Sequence, residues 1–283
     1  MRRRLAAWGV TPAGAPVLTP SSELMPGIRD GLPVMLKIAL VDEEVRGAAL
    51  LQWWGGRGAA AVLEREGSAT LMLRATGTRD LATMSGAGRD AEATEILVRT
   101  ARTLHGRPAP TALDDVPLIP LRDWFRALLS TNSAAANSAA GDADPLLRRA
   151  AEVAERLLAC TSPADVVVLH GDIHHGNVLD FGDHWAVIDP KGLIGHRAFD
   201  VANIFCNPTE AGALDNLETR LDSISRLMSI PPSVLAEWAI AWCGLSLAWE
   251  SDRETPSWHA RTARQVAERL LAARVDAAGS VPF

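Results

Sequence analysis

The chain has 283 residues, of which 48% are hydrophobic and 22% are charged, as is ordinary for a soluble globular protein with one large domain or two lobes. Its net charge of -6 argues against a nucleic-acid partner, because phosphate binding needs an excess of lysine and arginine. No run approaches the roughly 20 apolar residues that a membrane span requires, so we expect no membrane partner.

The amino terminus and the cysteines bear on where the protein works. Residues 2–4 are arginines, like the charged start of a signal peptide, but the apolar run at residues 5–10 is too short for one. The three cysteines, Cys160, Cys206 and Cys243, are odd in number and far apart, which suits reduced thiols and gives no metal-binding spacing. We therefore expect a cytoplasmic protein, and we expect a monomer or a weak dimer.

The first part of the chain has the pattern of a small antiparallel sheet. Strands are predicted at residues 15–18, 22–28, 33–39, 59–65 and 68–74. One helix is predicted at residues 43–54, after Asp42, a residue type that often caps helices. Ser21 and Ser22 lie in a small-residue loop whose backbone NH groups and hydroxyls can cover phosphates, although most such turns bind nothing.

Lysine is rare in this chain. Of the 28 basic residues only Lys37 and Lys191 are lysines. We therefore consider both positions as candidates where function requires a compact ammonium group and arginine cannot replace it. Lys37 lies on a predicted strand that precedes a helix with acids in its first turn, which is how kinases pair a phosphate-binding lysine with a glutamate. We expect Glu44 to be this partner, with Glu43 as the alternative, although both acids also suit the positive end of the helix dipole.

At Thr76-Gly77-Thr78 the strand pattern ends and helical periodicity begins. We predict a nucleotide-binding lobe at residues 1–75, an interlobe hinge at 76–78, and a catalytic and substrate-binding lobe at 79–283. Helices are expected in the second lobe at residues 90–105, 121–130, 145–160, 214–228, 233–250 and 258–275, with a low-complexity loop at 131–143. The predicted fold class is α+β, a small antiparallel β lobe with one helix beside a larger, mainly helical lobe.

Residues 166–207 carry most of the recognisable chemistry. An apolar run predicts a buried strand that leads into a loop with Asp172; Asn177 follows five positions later, and Asp189 follows a second apolar run. This spacing is the one that phosphotransferases use around magnesium-bound ATP. Asp172 would orient the acceptor hydroxyl, while Asn177 and Asp189 would supply the oxygen ligands that Mg²⁺ prefers. Lys37 would hold the phosphates from the facing lobe.

Two other interpretations compete with phosphoryl transfer. Four histidines lie close to Asp172 and are potential zinc or iron ligands of a metallohydrolase, namely His170, His174, His175 and His184. That reading leaves Lys37 and Asn177 unexplained. The other alternative is a nucleotide-binding protein that has lost catalytic activity. The presence of all four expected residues counts against it, namely Lys37, Asp172, Asn177 and Asp189. Lys191 has two open roles, a phosphate or substrate contact and a salt bridge to a local acid, and Asp200 is expected to hydrogen-bond the backbone of the catalytic loop.

The chain resembles the aminoglycoside/hydroxyurea antibiotic-resistance kinases, relatives of the streptomycin-type aminoglycoside phosphotransferases, most clearly in the string LHGDIHHGNVLDFGDHWAVIDPKGLIGHRAFDVANIFCNP. Further similar segments, at 33–38, 46–54, 75–77 and 244–249, extend the resemblance over nearly the whole chain. It implies a protein-kinase-like two-lobed fold, ATP and Mg²⁺ as cofactors, and transfer of the γ-phosphoryl group to a small-molecule hydroxyl. It also implies that Asp172 is the catalytic base, that Asn177 and Asp189 bind the metal, and that Lys37 binds phosphate.

The expected partners are a nucleotide and a small-molecule substrate. For the nucleotide, the predicted contacts are Lys37, Glu44, Ser21, Ser22 and Lys191. For an aminocyclitol antibiotic with guanidinium or ammonium groups, the candidate carboxylates are Glu210, Glu250 and Asp252. Hydroxyurea, which is small and neutral, would need hydrogen bonds instead, and a sugar, a choline-like compound or another metabolite also stays open because a fold does not fix a substrate.

Overall fold

A computed structural model describes residues 1–108, 118–137 and 144–279 and shows two lobes of different architecture. The amino-terminal lobe is an antiparallel sheet in the order β1-β3-β4-β6-β5, with β2 paired to β3. Its elements are α1 (Arg2–Ala7), β1 (Thr11–Pro12), β2 (Val17–Leu18), β3 (Ser22–Arg29), β4 (Leu32–Ala39), α2 (Asp42–Trp54), β5 (Val62–Glu66) and β6 (Ala69–Leu73). The predicted α+β class is confirmed.

Helix α1 was not expected, since the sequence predicts one helix in this lobe. The helix has six residues and no side-chain cap, and so gives little periodicity to detect. Its one buried residue, Leu5, joins a small core under the sheet. Val34 and Leu36, two apart along β4, point to the same face and pack there with Leu71. The helix is thus held by tertiary packing.

Helix α2 begins with three acids, Asp42, Glu43 and Glu44, in its first turn. Asp42, which the sequence suggests as a cap, is the first helical residue instead; Val41 is the capping residue and makes no side-chain hydrogen bond. The acids stabilise the positive end of the helix dipole in place of a cap. At the other end, Gly55 adopts the left-handed conformation that commonly terminates helices.

Helix α2 is fastened to the carboxy-terminal lobe at several points. The Arg46 Nε donates to the Lys191 carbonyl over 3.0 Å, and the Trp54 ring stacks on that of His170 with centroids 6.4 Å apart. A Cβ atom at Gly47 would lie 2.3 Å from the Pro190 carbonyl oxygen, so only glycine fits this close approach. The buried face of the helix belongs to the larger of the two hydrophobic cores.

The carboxy-terminal lobe is mainly helical, as predicted. Its helices are α3 (Leu81–Met84), α4 (Asp90–His105), α5 (Leu121–Trp124), α6 (Arg126–Asn137), α7 (Pro145–Cys160), α8 (Phe199–Ala202), α9 (Glu210–Asp215), α10 (Leu217–Met228), α11 (Pro232–Trp249) and α12 (Trp258–Gly279). The loop predicted at 131–143 is wrong up to Asn137, where α6 ends, and its remainder lies outside the described residues. Helix α11 runs through the centre, buried along most of its length, and packs on α7 and α12.

Short strands complete this lobe and carry the polar loops. A hairpin joins β9 (Val178–Asp180) to β10 (Trp185–Val187), and β11 (Leu193–His196) lies between β7 (Ile119–Pro120) and β8 (Val166–Leu169). Within the described ranges no single helix is long and apolar enough to cross a membrane; the bent pair α10 and α11, at 115° to each other, reaches that length and composition only together.

The segment between β6 and α3 connects the lobes. The Gly77 NH donates to the Asp180 carbonyl over 2.9 Å, and a Cβ atom at Gly77 would lie 2.0 Å from the Asp180 carboxyl carbon. Arg79 makes a bidentate ion pair with the same carboxylate, at 2.7 and 2.8 Å, and holds the pKa of Asp180 well below its usual range. The interlobe hinge at residues 76–78 stays a prediction. The predicted hinge residues fall in this connecting segment.

Candidate active site

The catalytic loop starts where β8 ends and is fixed by a buried carboxylate. Asp200 accepts hydrogen bonds from the backbone NH groups of His170, at 3.0 Å, and Gly171, at 2.7 Å. His105 of α4 contacts the same carboxylate through Nε2 at 2.7 Å. The predicted role of Asp200 is thereby confirmed: it supports the loop that presents Asp172.

A second set of bonds ties this loop to the loop after β10. The His170 Nε2 lies 2.8 Å from the Ile188 carbonyl, and the Lys191 NH donates to the His170 carbonyl over 2.7 Å. Burial lowers the pKa of His170, so the ring is neutral and serves as a structural bridge. Between these bonds lies Asp189, whose φ of 57° is left-handed, a conformation uncommon outside glycine but enriched in aspartate. The loop that carries Asp172 and the loop that carries Asp189 are therefore tied together through His170.

The Asp172 carboxylate is held at both oxygens. The Asn177 Nδ2 donates to Asp172 Oδ2 over 3.1 Å and to its carbonyl over 2.9 Å. The Asn203 Nδ2 donates to the other oxygen, Oδ1, over 2.7 Å. Because the amide nitrogen of Asn177 is engaged with Asp172, its amide oxygen is the atom available to a cation.

Lys37 reaches this site from β4. Its ammonium is ion-paired with Glu44 and contacts Asp189 Oδ1 at 2.5 Å. The predicted pairing of Lys37 with Glu44 is confirmed. The Ser21 Oγ donates to Glu44 over 2.7 Å, which places the loop before β3 beside the same group. Two hard oxygens, from Asn177 and Asp189, together with one cation fit Mg²⁺ bound to phosphates, because magnesium takes only one or two protein carboxylates and fills its other positions with phosphate and water.

Two residues predicted to contact the nucleotide have other surroundings. Ser22 is buried, and its Oγ has no hydrogen-bond partner in the part of the chain that the structure describes. The Lys191 Nζ donates to Glu43 over 2.9 Å, so of its two possible roles the local salt bridge is the one present. Burial lowers the pKa of Lys191, but Glu43 outweighs this and raises it above the usual value, so the side chain stays charged.

The histidines do not assemble as metal ligands. His175 is buried with neither ring nitrogen hydrogen-bonded, and burial, followed by the charge of Arg220, lowers its pKa to about 3. His184 pairs with the neighbouring Asp183 at the surface. Across residues 1–108, 118–137 and 144–279, no three His, Cys, Asp or Glu side chains converge as a metal-binding group. The metallohydrolase reading therefore lacks its ligand set.

A cleft of about 390 Å³ opens beside Asp172 in the helical lobe. Its lining is aromatic and amide-rich: Asp172, His174, Asn203, Asn207, Trp242, Ser246, Trp249, Glu250, Trp258 and His259. Trp249 also borders a larger cavity of about 1030 Å³ that extends past Trp124 to Lys191 and Glu43. We call the two together the acceptor cleft. Its lining includes Asp172 in the smaller part and Arg126, Ala127 and Ser130 of α6 in the larger part.

Of the three carboxylates proposed for the substrate, only Glu250 lines this cleft. Glu210 accepts a hydrogen bond from Gln265 over 2.7 Å, and Asp252 lies on an exposed turn; neither is among the lining residues. Burial opposes ionisation of Glu250, but hydrogen bonds from the Ser257 NH and hydroxyl prevail and lower its pKa. The carboxylate is thus ionised and fixed.

Most of the cleft wall was not predicted from the sequence. No role was expected for Asn207, Trp242, Trp258 or His259, because the wall is assembled from the turn that follows α8, from α11 and from α12. A signal was nevertheless present: the chain has nine tryptophans and no tyrosine, and several of the tryptophans fall in the last helices. A composition so biased toward one large aromatic, in a chain expected to bind a cationic sugar, points to ring faces in the binding site.

A sheet lobe with a glutamate-paired lysine, closing over an Asp-Asn-Asp set in a helical lobe, defines a protein-kinase-like phosphotransferase. The aminoglycoside/hydroxyurea antibiotic resistance kinase family model matches residues 7–254. The chain belongs to this family, and it is accordingly a kinase whose acceptor group is a hydroxyl.

Individual relatives agree with this assignment. Streptomycin 3''-kinase of Klebsiella pneumoniae is 43% identical over 250 residues, which cover 86% of this chain and 89% of that protein. Hydroxyurea phosphotransferase of Kitasatospora aureofaciens is 30% identical over 253 residues, 87% of this chain and 71% of that protein. Among solved structures, a thermostable mutant of aminoglycoside phosphotransferase APH(4)-Ia, in complex with AMP-PNP and hygromycin B, shares the fold with a TM-score of 0.67 at 14% identity, covering 96% of this chain and 97% of that one.

Proposed function

We propose that the protein transfers the γ-phosphoryl group of Mg·ATP to a hydroxyl of a streptomycin-like aminoglycoside. The observation that carries this choice is the acceptor cleft, whose two parts, of about 390 and 1030 Å³, share Trp249 in their lining. A multi-ring antibiotic fills such a space, whereas hydroxyurea would leave most of it to water. The 43% identity to a streptomycin kinase points to the same substrate class.

In the proposed reaction the acceptor hydroxyl lies between Asp172 and the γ-phosphorus. Its oxygen forms the new bond to phosphorus, the bond to the β,γ-bridging oxygen breaks, ADP leaves, and the hydroxyl proton passes to Asp172. Asn177 and Asp189 would hold Mg²⁺, which would neutralise charge on the phosphates. Lys37 binds phosphate oxygens, with Glu44 fixing its ammonium, and Ser21 covers the phosphates from the loop before β3.

The cleft wall suits the cationic groups of a streptomycin-like acceptor. Trp249 and Trp258 are 49% and 43% exposed, which is high for the largest apolar side chain. A planar guanidinium stacks on such ring faces and forms hydrogen bonds to a carboxylate at the same time. Glu250, ionised and fixed by Ser257, is the carboxylate in position. The proposed substrate contacts are therefore aromatic faces with one acid, in place of the three carboxylates expected from the sequence.

Substitution of Asp172 by asparagine tests the proposal. With streptomycin and Mg·ATP, Asp172→Asn is expected to lower kcat by about 10²- to 10⁴-fold, the usual contribution of a general base, while nucleotide binding and thermal stability stay close to wild type. Asp183→Asn, at the surface of the same lobe, is the matched control. Substantial turnover by Asp172→Asn would contradict the assigned role, and phosphorylation of hydroxyurea or a common metabolite in preference to streptomycin would contradict the substrate.

We also propose a cytoplasmic location and a monomeric or weakly dimeric state. Free thiols at Cys160, Cys206 and Cys243 suit a reducing compartment and support the first proposal. Sedimentation analysis of the purified chain checks the second proposal directly, since a stable higher oligomer would contradict it.

A further inference from the structure

We propose that His259 is a positioning residue: through Asn207 and Asn203, it sets the orientation of the Asp172 carboxylate. The inference rests on the proposed role of Asp172 as the base. It assigns a part in catalysis to helix α12, whose first turn carries His259. Each link is a hydrogen bond between side chains that line the acceptor cleft.

The first link is between Asn203 and Asp172. The Asn203 Nδ2 donates to Asp172 Oδ1 over 2.7 Å. If this amide were flipped, its oxygen would face the carboxylate, and two acceptors would repel each other. Whatever fixes the amide of Asn203 therefore also fixes the direction in which Asp172 can accept a proton.

Asn207 supplies that constraint. Its Nδ2 donates to Asn203 Oδ1 over 2.8 Å and lies 3.1 Å from the Asn203 carbonyl. With its oxygen accepting this bond, the Asn203 amide can present only its nitrogen to Asp172. Asn203 and Asn207 are both buried, so water cannot easily take over either bond.

His259 holds Asn207 in turn. The Asn207 Nδ2 lies 3.3 Å from His259 Nε2, and since an amide nitrogen can only donate, this ring nitrogen must be the acceptor. The ring is therefore neutral and carries its proton on Nδ1. Protonation of Nε2 would place two donors face to face and break the link. A side chain that can only donate at this position would do the same.

The surroundings of His259 keep it neutral and in place. Trp242 and Trp258 contact the ring edge-on, with centroids 5.6 and 5.1 Å away. The charged and titratable groups that face it are Glu250, His174 and Asp172. Burial, then the charge of His174, lowers the pKa of His259, while Asp172 and Glu250 oppose them.

The backbone of Asn207 is held independently of His259. Arg220 Nη1 donates to the carbonyls of Ile204, at 2.7 Å, and Asn207, at 2.5 Å. Loss of the His259 ring therefore leaves the loop in position and removes one of the three contacts of the Asn207 Nδ2. A variant at His259 is thus expected to fold.

The test compares His259→Leu with His259→Gln, using streptomycin and Mg·ATP. Leucine offers no acceptor, so kcat is expected to fall about tenfold, the equivalent of one lost hydrogen bond, with the KM values for ATP and streptomycin within about twofold of wild type. Glutamine can accept from Asn207 and does not titrate, so it should restore most of kcat. Wild-type kcat should decline as pH falls through the pKa of His259, and the glutamine variant should lack this decline. His184→Leu, a surface histidine, is the matched control.

Two further readouts separate positioning from other roles. In the Asn203→Ala background, His259→Leu should add little, because the link it acts through is already absent. In the wild-type protein, imidazole nitrogen NMR shifts should report the Nδ1–H tautomer of His259, and Asn207→Leu should remove this preference whether or not the protein turns over.

A rise in the streptomycin KM with kcat unchanged would make His259 a simple substrate contact and overturn the proposal. So would additive effects with Asn203→Ala, or an Nε2–H tautomer in the wild-type protein. Activity retained by Asp172→Asn would instead overturn the proposed function, so the two failures can be told apart.

Discussion

Lys37 and Asp189 meet across the cleft, with Nζ 2.5 Å from Oδ1, although 152 residues separate them in the chain. Glu44 binds the same ammonium from α2. One buried cation thus joins the sheet, its helix and the loop that follows β10. We expect the phosphates of the nucleotide to bind at this junction, because it brings the Lys37 ammonium next to the proposed metal ligand Asp189.

Replacing the two lysines of the chain separates their roles. Lys37→Met keeps the apolar stem and removes the charge, and it is expected to lower kcat/KM for ATP by about 10²- to 10³-fold, as the loss of a single transition-state donor does. Lys191→Met is the control, because Nζ of Lys191 is bound to Glu43. Steady-state kinetics measure both; equal losses in the two variants would contradict the assignment of Lys37.

Gly77→Ala should loosen the connection between the lobes. Its Cβ would lie 2.0 Å from the Asp180 carboxyl carbon, which is itself held by Arg79, so the backbone or the ion pair must shift. We expect a loss of about 1 to 3 kcal/mol in the free energy of unfolding, typical of overpacking. Gly86→Ala meets nothing within 4 Å and should be nearly neutral. Urea unfolding of the two variants measures this difference. Equal free energies of unfolding would contradict the prediction and show that the segment at Gly77 adjusts to the added methyl group without cost.

Asp90 and Arg220 form a fully buried bidentate pair, with contacts of 2.6 and 3.0 Å. Arg220→Met should lower the free energy of unfolding by about 3 to 5 kcal/mol, because it leaves the Asp90 carboxylate buried without a counter-charge. The surface pair of Arg149 and Glu152 offers the control: Arg149→Met should cost less than about 1 kcal/mol. A similar loss in both variants, measured by chemical denaturation, would contradict this difference.

His175 should make the protein sensitive to mild acid. Its pKa is about 3 in the folded chain against an ordinary 6.5, so protons bind preferentially to the unfolded chain. Stability is therefore retained above pH 6.5 and declines as pH falls from there toward 3, with a slope of at most about 1.4 kcal/mol per pH unit. His175→Leu should flatten this decline between pH 6.5 and 5, and His184→Leu should not. An unchanged slope in His175→Leu would refute the assignment.

The sequence was sufficient for the parts of the site whose residues follow one another in a regular pattern. The pairing of Lys37 with Glu44 could be predicted because a strand followed by a helix with acids in its first turn leaves few geometries. The role of Asp200 could be predicted because this residue lies close in sequence to the catalytic loop, within residues 166–207. The roles proposed for Asn177 and Asp189 stay predictions that the geometry permits.

The acceptor wall could not be predicted, because its position depends on how distant helices pack. His259 lies 52 positions from its partner Asn207 and meets it only once α12 folds across α11. Surface acids gave no such constraint: Glu210 and Asp252 are as plausible in sequence as Glu250, yet packing turns them away from the cleft. Charge alone therefore gave three candidate carboxylates for substrate binding, and only Glu250 lines the acceptor cleft.

The attachment of α2 has a consequence for control of the reaction. The helix contributes Glu44 to the phosphate-binding pair, yet Arg46, Gly47 and Trp54 fasten it to the opposite lobe. A helix held in this way has no room to swing out and separate the glutamate from Lys37. Regulation by displacement of this helix would have to break these contacts first, so we expect the pairing of Glu44 with Lys37 to persist without an activating signal.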